Sequence, residues 1–123
     1  MTDRIIKLRI RDSKGDVQEY FQDFVPYSKR LDFIRKEREL ESRTDDEGKP
    51  ITTTLDEYLE LQAEFVAGLF DDKRVTKKAI MDGVDTTDDT LSEIIKYRVL
   101  RHTKPDEQVK KILEKSGGGN TTN

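Results

Sequence analysis

The chain has 123 residues and a net charge of −3, and 40% of its residues are charged against 33% that are apolar. This length predicts one domain with a single modest core, and the near balance of 23 basic and 26 acidic residues does not favour general nucleic-acid binding. The absence of cysteine excludes disulfides, thiolate nucleophiles and cysteine-ligated zinc, and with His102 as the only histidine most other catalytic and metal chemistries are disfavoured.

The N-terminal part of the chain predicts a β-hairpin over residues 5–24. Ile6, Leu8 and Ile10 alternate with basic residues, which is the period of a half-buried strand. A second strand is expected from residue 17 to residue 24, and Gly15 in the turn between the strands can adopt a positive φ. Since an isolated hairpin is marginally stable in water, its apolar face has to pack on the helices that follow or on another chain.

The rest of the chain predicts helices, which span residues 28–42, 54–71, 76–82, 88–102 and 105–116. The strongest pattern is that of the second helix, where Thr54 and Glu57 match a capping box ahead of an apolar stripe. Ser28 and Thr76 are candidate N-caps of the first and third helices. Gly83 stands where a C-terminal cap glycine belongs.

These elements predict an α+β fold that is mainly α-helical, with an N-terminal β-hairpin followed by four to five helices in one domain over residues 1–116. Residues 43–53 predict a mobile loop, and residues 117–123 predict a flexible tail. No apolar run is long enough to span a membrane, and the first six residues have no apolar h-region of a signal peptide. We therefore expect a cytoplasmic protein.

No catalytic site, metal site or cofactor is expected. His102 has no serine or carboxylate pairing in the sequence, and it fits a surface position or a helix C-terminus better than a catalytic base. An acidic cluster fails the ligand spacing of a calcium-binding EF-hand loop and is better explained by helix caps; its members are Asp82, Asp85, Asp88 and Asp89. The sequence therefore predicts that the chain is not an enzyme.

Two other clusters leave alternatives open. One is basic with interleaved acidic residues, and it is either a solvated helix face or a surface that binds anions; its basic members are Lys29, Arg30, Arg35, Lys36 and Arg38. The other is an aromatic-rich segment at the junction of hairpin and helix, which either packs in the core or presents a face to a partner; its members are Phe21, Phe24, Val25, Tyr27 and Phe33.

Two stretches of the sequence carry a resemblance to a known family. The first is Phe21-Gln22-Asp23-Phe24-Val25-Pro26, at the end of the hairpin. The second begins with Glu64-Phe65-Val66-Ala67-Gly68-Leu69-Phe70-Asp71 and continues through Val75-Thr76 to Met81-Asp82-Gly83-Val84-Asp85. With the order of hairpin, charged helix, acidic loop and amphipathic helix, residues 5–100 resemble the tail assembly chaperones of siphophages that infect Gram-positive bacteria, and of their prophages.

The resemblance implies a non-enzymatic protein that binds the long, helical tape measure protein. It would keep that protein soluble in the bacterial host cytoplasm until tail tube subunits polymerise around it, and it is not expected in the mature virion. The resemblance also implies two products, because ribosomal slippage near the end of the short frame appends a second domain that recruits the tube protein. This chain would be the short form, and Gly118-Gly119-Asn120 can be encoded with a G-GGA-AAC slippery heptamer.

For this role the candidate partner-binding face consists of Phe21, Phe24, Tyr27, Leu31, Phe33 and Ile34. Many copies along one rod would add avidity without strong single contacts. Self-association is also plausible, because both a hairpin edge and an aromatic segment invite pairing. The alternative function is a small cytoplasmic regulatory or adaptor protein that binds nucleic acid through Lys29–Arg38, and such binding would weaken with salt.

Overall fold

The computed structural model describes residues 4–103 of the chain. Two strands are followed by helices, and the bounds in chain order are β1 Ile6–Arg11, β2 Val17–Gln22, α1 Ser28–Glu41, α2 Leu55–Ala67, α3 Lys77–Gly83, α4 Thr90–Glu93 and a π-helical segment Ile94–Val99. The α+β class, with an N-terminal hairpin ahead of the helices, is confirmed. The helix predicted over residues 105–116 and the tail predicted over residues 117–123 lie outside the described residues.

Strands β1 and β2 form an antiparallel hairpin and pair residue for residue. The alternation predicted for β1 is confirmed, since Ile6, Leu8 and Ile10 are buried while the basic residues between them are exposed. Strand β2 ends at Gln22, earlier than the predicted residue 24. Phe24 therefore lies in the connection to α1 and not in the sheet.

Two loops of the chain contain the same type of hydrogen-bonded turn. In the hairpin, the Gly15 N–H donates to the Asp12 carbonyl at 3.0 Å, and the φ of Gly15 is 91°, as predicted. Asp45 and Gly48 repeat this arrangement with a distance of 2.9 Å and a φ of 80°. Each aspartate carboxylate also accepts backbone N–H groups two and four residues further on. The stretch predicted as a mobile loop thus contains a closed turn, because Asp45 and Gly48 supply the chemistry of the hairpin turn.

The core lies between the inner face of the hairpin and the helices. Phe33 from α1 packs edge-to-face on Phe65 from α2, with the ring centroids 5.0 Å apart. Leu8, Val66 and Ile80 are the largest completely buried side chains, and they come from β1, α2 and α3. The other buried apolar residues are Ile6, Ile10, Ala63, Leu69, Phe70, Val75, Ile94, Ile95 and Val99.

The helix starts follow the predicted caps with one exception. Thr54 and Glu57 form the capping box of α2, and the Thr76 hydroxyl accepts the N–H of Ala79 at the start of α3. Ser28 is not the N-cap of α1. Tyr27 occupies that position without a side-chain cap, and Ser28 is the first helical residue.

Helix α2 ends at Ala67, earlier than the predicted residue 71. The hydrogen bonds shorten there to a three-residue spacing, with Leu69 N–H donating to the Val66 carbonyl and Phe70 N–H to the Ala67 carbonyl. This tighter turn buries Leu69 and Phe70 in the core. Leu69 and Phe70, whose apolar spacing predicted a longer helix, therefore lie in the turn after α2 and still belong to the core.

Gly83 is the last residue of α3 and not a left-handed cap after it, which corrects the role predicted for it. A Cβ atom on Gly83 would lie 2.4 Å from the Arg11 carbonyl oxygen and 2.5 Å from Ile10 Cγ2. No carbon atom fits at such distances, so the missing side chain is what lets α3 lie against β1.

The helix predicted over residues 88–102 begins at Thr90 and widens into the π-helical segment from Ile94. The Leu100 N–H donates to the Ile95 carbonyl at 2.8 Å, which is the five-residue spacing of a π-helix. Arg101 then adopts a φ of 60°, in the left-handed region, and ends the helix.

Candidate partner-binding surface

The structure separates the six residues predicted for the partner-binding face. Tyr27, Leu31 and Ile34 are exposed on α1, and we call these three residues the α1 stripe. Phe24 is exposed in the connection before α1, and Phe21 is exposed on the outer face of β2, where it lies opposite Lys7. The sixth residue, Phe33, is not exposed.

Phe33 is 5% exposed and belongs to the core, so it is not available as a surface residue. Its ring contacts Phe65, and this contact orients α1 on the rest of the fold. With 3.6 residues per turn, Leu31 lies roughly 160° around the helix axis from Phe33. The same orientation that buries Phe33 therefore turns the α1 stripe to solvent.

Arg30 holds the beginning of α1 against the end of the π-helical segment. Its Nε atom donates to the Val99 carbonyl oxygen at 2.9 Å. Its guanidinium also lies over the Tyr27 ring, 5.0 Å from the ring centroid. One side chain thus positions the first aromatic ring of the α1 stripe and joins α1 to the C-terminal side of the fold.

The far end of α1 is joined to the start of α2 by ion pairs and hydrogen bonds. Arg43 makes a bidentate contact with the Glu57 carboxylate at 2.7 and 2.9 Å. Hydrogen bonds from the Arg43 guanidinium and from the Thr54 backbone lower the pKa of Glu57 to about 2. The Tyr58 hydroxyl donates to the Glu41 carboxylate beside this pair. Both ends of the helix that carries the α1 stripe are therefore fixed.

Gln22 is a residue that the sequence analysis did not single out. It is 8% exposed, and its side-chain amide donates to the Phe24 carbonyl and bonds to Asp71. It therefore brings together the two stretches that carried the resemblance, one with Gln22 and Phe24 and the other with Asp71. The available signal was a glutamine at an inward-facing position of a strand.

The sequence model of the phage tail chaperone protein family matches residues 1–116. The chain belongs to this family. Phage tail chaperones act in tail assembly and are not a class of enzyme. Comparison with curated proteins and with solved structures gave no match. Within residues 4–103, the longest apolar helix falls short of what a membrane crossing requires.

The basic cluster of this tail chaperone does not form a uniform cationic face. Helix α1 carries five basic and four acidic residues, which leaves it a net charge of +1. Arg30, one of the five, is already bonded to the Val99 carbonyl. Of the others, Arg35, Lys36 and Arg38 are exposed. The surface proposed for nucleic acid in the alternative reading thus mixes both signs of charge.

The acidic cluster serves turns and ion pairs. The Asp85 carboxylate accepts from the N–H and hydroxyl of Thr87, Asp88 bonds Thr90 in the same way, and Asp82 pairs with Lys78 at 2.8 Å. The helix-cap interpretation holds only for Asp88, which accepts the N–H of the first residue of α4, whereas Asp89 at the N-cap position makes no side-chain cap hydrogen bond and Asp82 and Asp85 cap no helix. No group of acidic or histidine side chains within residues 4–103 has the arrangement of a metal site.

An open groove of about 800 Å³ runs between the outer side of β1 and the loop that follows α3. One wall is basic and carries Lys7, Arg9 and Arg11, while Asp82 at the end of α3 and Asp85 and Asp88 in the loop line the other. Since the two walls carry opposite charge, the groove does not favour one class of charged small molecule.

Proposed function

We propose that this tail chaperone binds the tape measure protein of its phage through the α1 stripe, and thereby keeps that protein soluble in the host cytoplasm. The observation that carries the proposal is the α1 stripe itself. It consists of three large apolar side chains turned to solvent on a helix whose position is fixed at both ends. Phe24, 62% exposed just before the helix, extends the apolar surface.

The chemistry of the client fits such a surface. A long helical protein that has not yet been enclosed by the tail tube exposes apolar stripes along its length. An amphipathic helix is recognised by apolar side chains spaced one turn apart, and Tyr27, Leu31 and Ile34 have this spacing. The charged residues around them keep the complex in solution.

The small size of the α1 stripe predicts weak binding by each copy. Three side chains bury far less surface than a stable interface requires. Several copies bound along one client would overcome this limit through avidity. Self-association through the free edges of the two-stranded hairpin would place neighbouring copies side by side.

Recruitment of tail tube subunits is assigned to a longer product of the same gene. A slippery heptamer over the codons of Gly118-Gly119-Asn120 would append the additional domain. The nucleotide sequence tests this part directly, because synonymous glycine codons abolish the heptamer. Mass spectrometry of the expressed products would then show one species or two.

The binding surface is tested by co-expression with the tape-measure-like protein encoded beside the gene. The soluble and co-purified fractions of that partner are measured with the natural chain and with Leu31→Asp. Leu59→Asp is the matched control, because Leu59 is a leucine of another helix with nearly the same exposure, 48% against 45% for Leu31. We expect Leu31→Asp to lose the partner and Leu59→Asp to retain it, with the helical circular dichroism of both unchanged.

Phe33→Asp completes the set. Because Phe33 is buried against Phe65, we expect this variant to lose its cooperative unfolding transition and not only its partner. If the natural chain leaves the partner insoluble, the proposed client is wrong. If Leu31→Asp and Leu59→Asp bind the partner equally, the client is retained but the α1 stripe is not its binding surface.

A further inference from the structure

We propose that residues 105–116 of the same chain cover the α1 stripe when no client is bound. The inference rests on the proposed function only for its biological meaning, which is that the client and this segment compete for one surface. The physical arrangement can be tested without any client. Three observations support it, and they concern the point where the described chain ends, the sequence that follows, and the reach of that sequence.

The described chain ends beside α1. Arg30 on α1 bonds the carbonyl of Val99, and four residues later the described part ends at Thr103. His102 is close enough to Glu37 on α1 to lower the pKa of that carboxyl electrostatically, against a larger rise caused by its burial. Glu37 lies one turn beyond Ile34. The next residues of the chain therefore start next to the α1 stripe.

The sequence that follows has the apolar pattern of a partner helix. Val109, Ile112 and Leu113 are spaced at i, i+3 and i+4, so one side of a helix would carry all three. Pro105 suits a first helical position. A helix this short is not stable on its own in water, and it needs an apolar surface to pack on.

The distances allow the contact. Tyr27 and Ile34 are separated by seven residues of helix, which is about 10 Å along the axis. With a helix that begins at Pro105, the four residues from Pro105 to Gln108 advance about 6 Å along its axis, and Lys104 before them adds about 3.5 Å when extended. Val109 and Leu113 would then lie roughly 10 and 16 Å from Thr103, distances comparable with the length of the α1 stripe. Because the segment and the α1 stripe belong to one chain, the effective concentration of the segment at the stripe is high.

Covering the α1 stripe in this way would weaken the apparent affinity for the client. If the segment occupies the surface about nine-tenths of the time, the apparent dissociation constant rises about tenfold. Free chaperone would then expose little apolar surface. Bound chaperone would release residues 105–116 at the moment when the client takes their place.

Cysteine cross-linking tests the arrangement in the full chain, which contains no natural cysteine. The test pair is Leu31→Cys with Ile112→Cys, and the matched control pair is Leu59→Cys with Ile112→Cys. A disulfide requires the two Cα atoms to approach within about 7 Å, so its formation reports contact. Under mild oxidation we expect an intramolecular disulfide in the test pair, at least about fivefold faster than in the control pair.

Three outcomes of the cross-linking would overturn the inference. Equal rates in the two pairs would mean that the segment has no preferred surface. No intramolecular disulfide in the test pair would mean that it does not reach α1. Disulfide-linked dimers in place of cross-linked monomers would mean that a second copy covers the α1 stripe.

The competition is tested with point variants of the segment. Ile112→Asp should release the segment and raise capture of the tape-measure-like protein several-fold, and it should also raise the fluorescence of an apolar dye. Lys111→Gln is the control, because it changes the net charge by the same −1 and lies away from the apolar side. Unchanged capture by Ile112→Asp would refute the competition. A test-pair disulfide together with full client binding by Leu31→Asp would instead refute the α1 stripe as the binding surface of the client and leave the intramolecular contact standing.

Discussion

The side-chain amide of Gln22 is hydrogen-bonded twice to Asp71, a residue 49 positions further along the chain. Gln22 Nε2 donates to an Asp71 carboxylate oxygen at 3.2 Å, and Gln22 Oε1 accepts the Asp71 backbone N–H at 3.0 Å. The same Nε2 donates to the Phe24 carbonyl at 2.8 Å. One buried amide therefore fixes the exit of the hairpin to the turn after α2, and it sets the path that leads to the α1 stripe.

Replacing Gln22 by alanine should destabilise the fold by about 1–3 kcal/mol, because the Asp71 N–H and the Phe24 carbonyl lose their partner in a partly buried place. Urea unfolding monitored by circular dichroism measures the change. Gln18→Ala removes a glutamine of the same strand whose side chain is exposed and bonds the exposed Asp12 side chain, so this variant should stay within about 0.5 kcal/mol of the natural chain. Equal effects of the two variants would show that the Gln22 bonds contribute nothing specific.

Replacing Gly83 by alanine should be destabilising by about 1–3 kcal/mol, since the new Cβ atom would meet Arg11 and Ile10 at less than van der Waals distance. Gly68→Ala is the control at another helix end. There the added Cβ atom would lie 3.4 Å from the nearest atom, the Phe65 carbonyl oxygen, which is an ordinary contact. We expect its melting temperature to be unchanged or slightly raised. A Gly83→Ala variant as stable as Gly68→Ala would contradict the close packing of α3 on β1.

Replacing Arg101 by glycine should stabilise the fold by about 1 kcal/mol. The φ of Arg101 is 60°, a conformation that costs energy for a residue with a Cβ atom and little for glycine. Arg101→Ala is the informative control, because it removes the same charge and keeps the Cβ atom. Thermal unfolding should rank glycine above alanine. The reverse order would mean that the left-handed conformation at this position is not retained in solution.

The pair of Arg43 and Glu57 predicts an acid-dependent loss of stability. The folded-state pKa of Glu57, about 2, lies below the ordinary value of 4.5, so the stabilisation is complete above about pH 4.5 and is lost as the pH falls toward 2. Urea midpoints measured across this range should fall less steeply in Glu57→Gln than in the natural chain. Arg43→Met should flatten the profile in the same sense, because the Arg43 hydrogen bonds are the largest cause of the shift. An Arg43→Met profile identical to the natural one would contradict that assignment.

The elements that the sequence predicted well are those whose signals are local. The alternation of Ile6, Leu8 and Ile10, the positive φ of Gly15 and the capping box of Thr54 with Glu57 each depend on a few neighbouring residues. The structure confirms all of them. A local pattern is sufficient here because backbone geometry and capping are decided within one turn or one strand.

The features that the sequence did not predict depend on contacts between distant parts of the chain. Leu31, Phe33 and Ile34 are all apolar, and a helix with so few apolar residues does not reveal which of its sides is buried. Only the position of Phe65 decides in favour of Phe33. Gly83 was similarly ambiguous, since a cap glycine and a glycine under a neighbouring strand look alike in sequence.

The sequence did not predict the π-helical segment either. Leu91, Ile94, Ile95 and Val99 have a spacing that an α-helix satisfies, and it predicts no widening. The structure shows the five-residue hydrogen bond from the Leu100 N–H to the Ile95 carbonyl.

The contacts of Arg98 bear on the order in which the chain folds during synthesis. Its guanidinium donates to the carbonyls of Arg4 and Asp23, which flank the two open ends of the hairpin, at 2.6 and 3.0 Å. The hairpin leaves the ribosome before the helices that cover it, yet the contacts of Arg98 become available only after residue 98 has emerged. The hairpin is marginally stable alone, so its apolar side stays uncovered until the helices up to residue 98 have been made. A chaperone of tail assembly thus carries a hairpin that is itself open to misassociation until later helices of the same chain have formed.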